Sequence, residues 1–236
     1  MKDTFVKGKS NEVAVNAAEN FVTGDQKWRA VFLYGPTGCG KTHLTYVVKH
    51  RLEEQEEAVR VRNAEQLISE MIGWLSQGGT MESFYKNYEQ ADVLLIEDIQ
   101  NLVRIPQGEK YCKELVRRYL KGQKKVWLTA DQKAVIYRWR IFGSFRKIKI
   151  AAQEESLKKE ILRRYGETRE FKVPEEVLEL LAGSKENMRK IMGLLNKGMV
   201  YERVLGNRLT RELLDKLQEE DRMKALRSRT REFEGM

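Results

Sequence analysis

The sequence predicts an α/β fold: a five-stranded parallel sheet with helices between the strands, followed by a small all-helical domain. Three observations carry that expectation. Short apolar runs at residues 31–34, 58–62, 92–97, 126–129 and 148–150 alternate with stretches of helical periodicity. The first run passes directly into a glycine-rich loop that opens a helix. Beyond about residue 153 no strand signal interrupts the helical pattern.

At 236 residues the chain is long enough to bury a core without disulfides or metal. Its two cysteines, Cys39 in the loop and Cys112 on a helix, fit a reducing cytosol and argue against a metal cluster. No apolar run nears the ~18 residues that span a membrane, and no signal-like leader is present, so a cytoplasmic protein with no membrane association is expected. The formal charge of +9 makes a polyanion such as DNA a reasonable partner, though charge alone does not distinguish that from an ordinary basic surface.

The loop reads Gly35-Pro36-Thr37-Gly38-Cys39-Gly40-Lys41-Thr42. Its spacing is that of a phosphate-binding loop, and it makes the sheet that of a P-loop NTPase. Glycines let backbone N–H groups turn inward toward phosphate oxygens, and the helix opening at Lys41 adds its N-terminal partial charge. Lys41 supplies a cation for the β- and γ-phosphates, and the Thr42 hydroxyl suits Mg²⁺.

Taken in order, residues 11–21 form a helix behind a short arm, with Ser10 as the expected cap. The helix after the loop carries Leu44, Val47, Val48 and Leu52 on one face and ends in acidic residues 53–57. A second strand at 58–62 precedes paired helices at 65–75 and 81–88, split by Gly78-Gly79. Their Met71, Ile72, Trp74, Leu75, Phe84 and Tyr85 fit core packing better than a binding surface. The third strand is wholly apolar, as the middle of a parallel sheet requires, and ends in Glu97-Asp98 at the edge where open α/β sheets bind ligands. In such a protein one carboxylate holds Mg²⁺ and the other orients or deprotonates the attacking water. The helix at 109–121 sets Lys113, Arg117 and Lys121 on one face, either a solvated face or a DNA phosphate contact. A fourth strand leads into Thr129-Ala130-Asp131. Arg138, Arg140, Arg146, Lys147 and Lys149 make residues 137–149 basic, and a fifth strand closes at 148–150. Helices then follow at 156–165, 174–182, 185–204 and 210–220, with Ser184 as the expected cap of the third. Domains are expected at 1–152 and 153–218, with a frayed basic tail over 219–236.

This arrangement resembles the AAA+ ATPases, and within them the bacterial replication initiator DnaA group. Thr4-Phe5-Val6-Lys7-Gly8-Lys9-Ser10-Asn11 is similar to that group's entry segment, and Gly40-Lys41-Thr42-His43-Leu44 to its phosphate-loop continuation. Leu94-Leu95-Ile96-Glu97-Asp98-Ile99-Gln100 and Leu128-Thr129-Ala130-Asp131 resemble its Walker B and sensor 1 segments. Lys185-Glu186-Asn187-Met188-Arg189 resembles its sensor 2 region. The likeness spans about residues 4–217 and makes the helical domain a lid. It implies ATP or ADP with Mg²⁺ bound by the loop residues, His43, Thr42, Glu97 and Asp98. Val6 and Asn11 would lie near the adenine, Thr129 or Asp131 would sense the nucleotide, and Arg189 would reach the γ-phosphate. The paired helices hold the place of the insertion that in the group contacts single-stranded DNA and the neighbouring subunit, which moves Trp74 and Lys86 toward a binding role.

Three departures accompany the resemblance. The chain stops after the helical domain, without the group's helix-turn-helix domain. Glu97 stands where Asp is usual. The group's Ser-Arg-Phe arginine finger is matched here by Gly143-Ser144-Phe145-Arg146, so either Arg146 serves with a shift of one residue or the finger is absent and hydrolysis is slow. The expected function is an ATP-dependent switch in replication initiation or its regulation, with nucleotide-dependent self-assembly, DNA association and a DnaA-type or helicase AAA+ partner. The alternatives are a helicase loader, a weakly hydrolysing adaptor or antagonist, and an excised piece of a larger initiator.

Overall fold

Alternating apolar positions explain how one sheet serves two cores. In β1 (Ala30–Tyr34), β3 (Val93–Glu97) and β4 (Lys125–Ala130), odd and even residues point to opposite faces. Phe32, Leu94, Ile96 and Leu128 enter one cluster. Val31, Leu33, Val93, Leu95 and Trp127 enter the other. The computed structural model describes residues 5–24, 26–131 and 143–234. With β2 (Val59–Asn63) and β5 (Arg146–Lys149), the strands form one five-stranded sheet in the order β2-β3-β4-β1-β5, and every pairing is parallel.

Helices α1 (Glu12–Thr23) and α2 (Lys41–Glu53) cover the Trp127 face, while α3 (Ala64–Ser76), α4 (Met81–Tyr88) and α5 (Pro106–Lys121) cover the other. The exposed edge at β2 is managed with charge. Arg60 lies 4.4 Å over the Tyr88 ring, and Arg62 pairs with Glu70. Local capping sets α3 and α4: Asn63 and Gln66 exchange hydrogen bonds as a capping box, and so do Thr80 and Ser83.

The chain divides into two compact units, Met1–Ala152 and Gln153–Met236. The second is built from α6 (Glu155–Glu167), α7 (Glu175–Ala182), α8 (Met188–Leu205) and α9 (Arg211–Glu234). Its own core gathers Leu162, Val177, Leu181, Ile191, Leu195 and Leu214.

Several boundaries differ from expectation. Asn11, not Ser10, is the residue preceding α1, and Asn187, not Ser184, caps α8, its side chain accepting from the Lys190 N–H at 3.1 Å. Serine and asparagine cap about equally well, so at α8 the chemistry did not separate neighbouring candidates; at α1 the Asn11 side chain makes no cap hydrogen bond. A 3₁₀ turn, Ile99–Arg104, follows β3 without a sequence signal. The expected frayed tail is instead the continuation of α9 to Glu234. Residues 211–234 contain no glycine or proline and are rich in strong helix formers.

Candidate functional site

The loop after β1 is shaped by close approach. A Cβ on Gly35 would stand 2.1 Å from the Ile150 carbonyl oxygen, and Gly38 and Gly40 have φ of 82° and 103°, so glycine is required at all three. Lys41 is buried, and its ammonium is tied back over the loop. It donates to the Gly35 carbonyl at 2.8 Å, the Pro36 carbonyl at 3.2 Å and Asp131 Oδ1 at 2.7 Å. The Thr37 hydroxyl donates to the other oxygen of Asp131 at 3.1 Å. The first turn of α2 presents N–H groups that lack intrahelical acceptors, which favours an anion in the loop. Burial pushes the Cys39 thiol up, against the pull of Lys41, so this cysteine is not a reactive thiolate.

The strand order places β4 between β1 and β3, and this brings the carboxylates to the same edge. Glu97 closes β3 and is 8% exposed. Its Oε1 is buried without a hydrogen-bond partner. Burial raises the Glu97 carboxyl above the usual carboxylate range; Thr42 pulls it down, Asp98 pushes it up, and Lys41 and Thr45 pull it down. A buried acceptor lacking a donor and facing Thr42 fits a hard cation with oxygen ligands, so Thr42, Glu97 and Asp98 are a suitable Mg²⁺ set.

Asp98 has φ 55° and ψ 43°, a left-handed conformation that asparagine and aspartate tolerate best. That turn sends the chain back over the strand end. The Asp98 N–H donates to Thr129 Oγ1 at 3.2 Å, and its Oδ1 accepts from Gln100 Nε2 at 3.2 Å. Of the two expected sensor residues, Thr129 is buried and engaged with Asp98, whereas Asp131 faces the loop. Sequence reasoning did not assign roles to Gln100 or Thr45. Thr45 donates to the Lys41 carbonyl at 3.0 Å and accepts from Trp127 Nε1 at 3.1 Å, anchoring α2 to β4. Its signal was its place one turn beyond Lys41; Gln100 gave none.

The entry segment is stitched to the same region. Asn11 is 3% exposed, donates to the Val6 carbonyl at 2.8 Å and accepts from the Gly8 N–H at 2.9 Å. Its amide is therefore spent on shaping residues 6–11. Phe5 meets His43 edge-on at 5.2 Å, so His43 packs against the entry segment.

Other expected residues lie elsewhere. Arg146 opens β5 in register with Val31, at the end of the sheet opposite the loop, with roughly 10 Å of strand between. Its guanidinium lies 5.5 Å from the Trp28 ring centroid and donates to the Lys27 carbonyl at 3.3 Å. Arg138 and Arg140 lie outside the described residues. Arg189 is exposed on the first turn of α8, in the second unit. In the paired helices Met71, Phe84 and Tyr85 are core, while Ile72 is 58% exposed. Trp74 packs partly buried against the first cluster and donates to Ser83 Oγ at 2.9 Å; Lys86 is exposed. On α5, Lys113 pairs with Glu109 at 2.6 Å, Arg117 with Glu114, and Arg118 with Glu82 at 2.5 Å. Among the described residues, no helix is long and apolar enough to cross a membrane.

The family profile of the bacterial DnaA ATPase domain matches residues 1–136. Domain III of the Thermotoga maritima replication initiation protein DnaA is similar in structure, with a TM-score of 0.82 at 22% identity, covering 92% of this chain and 95% of that one. AMPPCP-bound DnaA from Aquifex aeolicus gives a TM-score of 0.74 at 20% identity over 94% of this chain and 69% of that one. A replication initiator DnaA bound to AMPPCP and single-stranded DNA gives 0.75 at 20% over 95% and 69%. These likenesses establish the AAA+ fold.

Proposed function

The chain belongs to the bacterial DnaA ATPase domain family, and from that premise we propose that it is an ATP-dependent switch of replication initiation or of its regulation. The observation that carries this reading is the convergence of Lys41, Asp131, Glu97 and Asp98 on one sheet edge beside a glycine loop. Lys41 sets its charge against the β- and γ-phosphate oxygens, and the amides opening α2 hold the remaining phosphate charge. Mg²⁺ among Thr42, Glu97 and Asp98 would supply further charge neutralisation at the phosphates. Asp98 orients the attacking water and accepts its proton. The water oxygen bonds to the γ-phosphorus as the bond to the bridging oxygen breaks, leaving ADP and phosphate.

Arg189 is suited to a phosphate-contacting role for an electrostatic reason. The first turn of α8 holds Arg189 and Lys190; Lys190 pairs with Glu186 at 3.0 Å, while the exposed Arg189 sets a cation at the positive end of the helix dipole, where an anion would favour it. Arg146 stands at the far end of the sheet, where it would serve a neighbouring copy's nucleotide rather than its own. The DNA and nucleotide in the relative described above support nucleotide-dependent association of this chain with single-stranded DNA. A second reading is a slowly hydrolysing adaptor, favoured by the engagement of Arg146 with Trp28 and the Lys27 carbonyl.

The test is nucleotide affinity, hydrolysis rate and sedimentation with ATP or ADP, each with and without single-stranded DNA. Lys41→Ala is expected to weaken ATP binding at least ~10-fold, because it removes a charged hydrogen-bonding partner of the phosphates. Unchanged affinity would sink the nucleotide reading. Assembly with ATP and turnover raised by assembly support the switch; binding without either supports the adaptor.

A further inference from the structure

We propose that Gln100 is a positioning residue that locks the water-orienting Asp98 to the sensor strand end at Asp131. This rests on the nucleotide reading above and assigns a part in it to a residue outside the loop, the carboxylate pair and the sensor. Pairing between β3 and β4 runs from Val93↔Lys125 to Ile96↔Leu128, and past that point side chains hold the two strand ends together. Thr129 Oγ1 takes the Asp98 N–H at 3.2 Å. Gln100 makes the second tie with both ends of its carboxamide: Nε2 donates to Asp98 Oδ1 at 3.2 Å, and Oε1 accepts the Asp131 N–H at 3.2 Å.

The amide orientation is fixed by its partners. Reversing it would set an oxygen against the Asp98 carboxylate and an NH₂ against the Asp131 N–H, so only one orientation satisfies both. The reach is also specific. The left-handed turn at Asp98 folds the start of the 3₁₀ segment back across the strand end, and a glutamine two residues on then spans the gap. Asp131 grips Lys41 and Thr37 through its two carboxylate oxygens. The result is one chain of contacts, Lys41 to Asp131 to Gln100 to Asp98, between the group that meets the phosphates and the group that orients the water. Gln100 meets Asp98 but is not itself placed on the phosphates or the water, and acts by limiting the positions Asp98 adopts; small displacements of a reacting group cost large factors in rate.

Two substitutions separate the ends of the carboxamide. Gln100→Leu removes both hydrogen bonds at similar size. Gln100→Glu keeps an oxygen for the Asp131 N–H but turns the donor facing Asp98 into a second anion. In the full 236-residue chain, amide exchange at Asp131 without nucleotide is expected to accelerate at least ~5-fold in Gln100→Leu and to stay near wild type in Gln100→Glu, as loss or retention of one partly buried hydrogen bond requires. Both variants are expected to bind ATP within ~3-fold of wild type while kcat falls on the order of 10–100-fold. Unchanged Asp131 exchange in Gln100→Leu overturns the proposal, and so does a kcat within ~2-fold of wild type or a loss that appears in KM alone. If the wild-type chain binds ATP without hydrolysing it, the hydrolytic part of the function reading fails. The Asp131 exchange pattern then decides by itself whether Gln100 joins the two strand ends.

Discussion

Burying a carboxylate with an unpartnered oxygen opposes folding by about 1–3 kcal/mol, and Glu97 sits in that environment beside Thr42 at the end of β3. The fold tolerates it, as it tolerates the left-handed Asp98 beside it. Such costs are kept where they serve chemistry. Glu97→Gln should therefore stabilise the protein at neutral pH in chelator by about 1 kcal/mol, because it removes a buried charge. The same change should weaken the Mg²⁺ dependence of ATP affinity at least ~10-fold, since a neutral amide is a poorer ligand for a hard cation. Thermal melts in EDTA and ATP titrations across Mg²⁺ concentrations read the two effects separately. A destabilised variant with unaltered Mg²⁺ dependence would mean that Glu97 is a packing residue.

Among the elements, α5 shows how a basic helix differs from a nucleic-acid surface. Its periodicity set Lys113, Arg117 and Lys121 on one face, and the sequence left open whether that face meets phosphates. In the fold Lys113 and Arg117 are already held by Glu109 and Glu114. Just beyond the helix, Lys124 donates to the Glu89 and Ala91 carbonyls and Lys125 pairs with Glu57. Phosphate contact by these groups would first have to break those pairs. The double variant Lys113→Gln, Arg117→Gln should therefore change the slope of log K against log salt for single-stranded DNA by less than ~0.7, the value of one contact. A change near ~1.4 would place both cations on phosphates. Periodicity reports which residues share a face but carries no information on which carboxylates that face meets. Arg118 finds Glu82 on α4, a partner that only the packing of two helices supplies. Strands β1, β3 and β4 were legible because burial on both faces leaves a local apolar record, as in the wholly buried β3. The cap of α8 was misplaced by three residues because several good capping residues lay together, whereas Asn11 precedes α1 without capping it, its amide holding Val6 and Gly8 instead.

For the whole molecule, local and distant information divide in the same way. The glycine loop, Lys41 and Thr42 are contiguous, and their chemistry could be read directly from spacing. The pairing of Lys41 with Asp131 requires β4 to lie beside β1, and chain order alone does not reveal the order β2-β3-β4-β1-β5. Arg189 is a further step removed, because it belongs to the second compact unit, which has its own core. Under the proposed γ-phosphate role, Arg189 would contribute to ATP affinity and not to ADP affinity. Arg189→Ala should then weaken ATP binding by about 10-fold while moving ADP binding less than ~3-fold, the cost of one charged hydrogen-bonding interaction. The unit should not melt earlier, since Arg189 is exposed and opposes the dipole of α8. Equal losses for ATP and ADP would place Arg189 at a phosphate they share, and no loss for either would confine nucleotide recognition to the first unit.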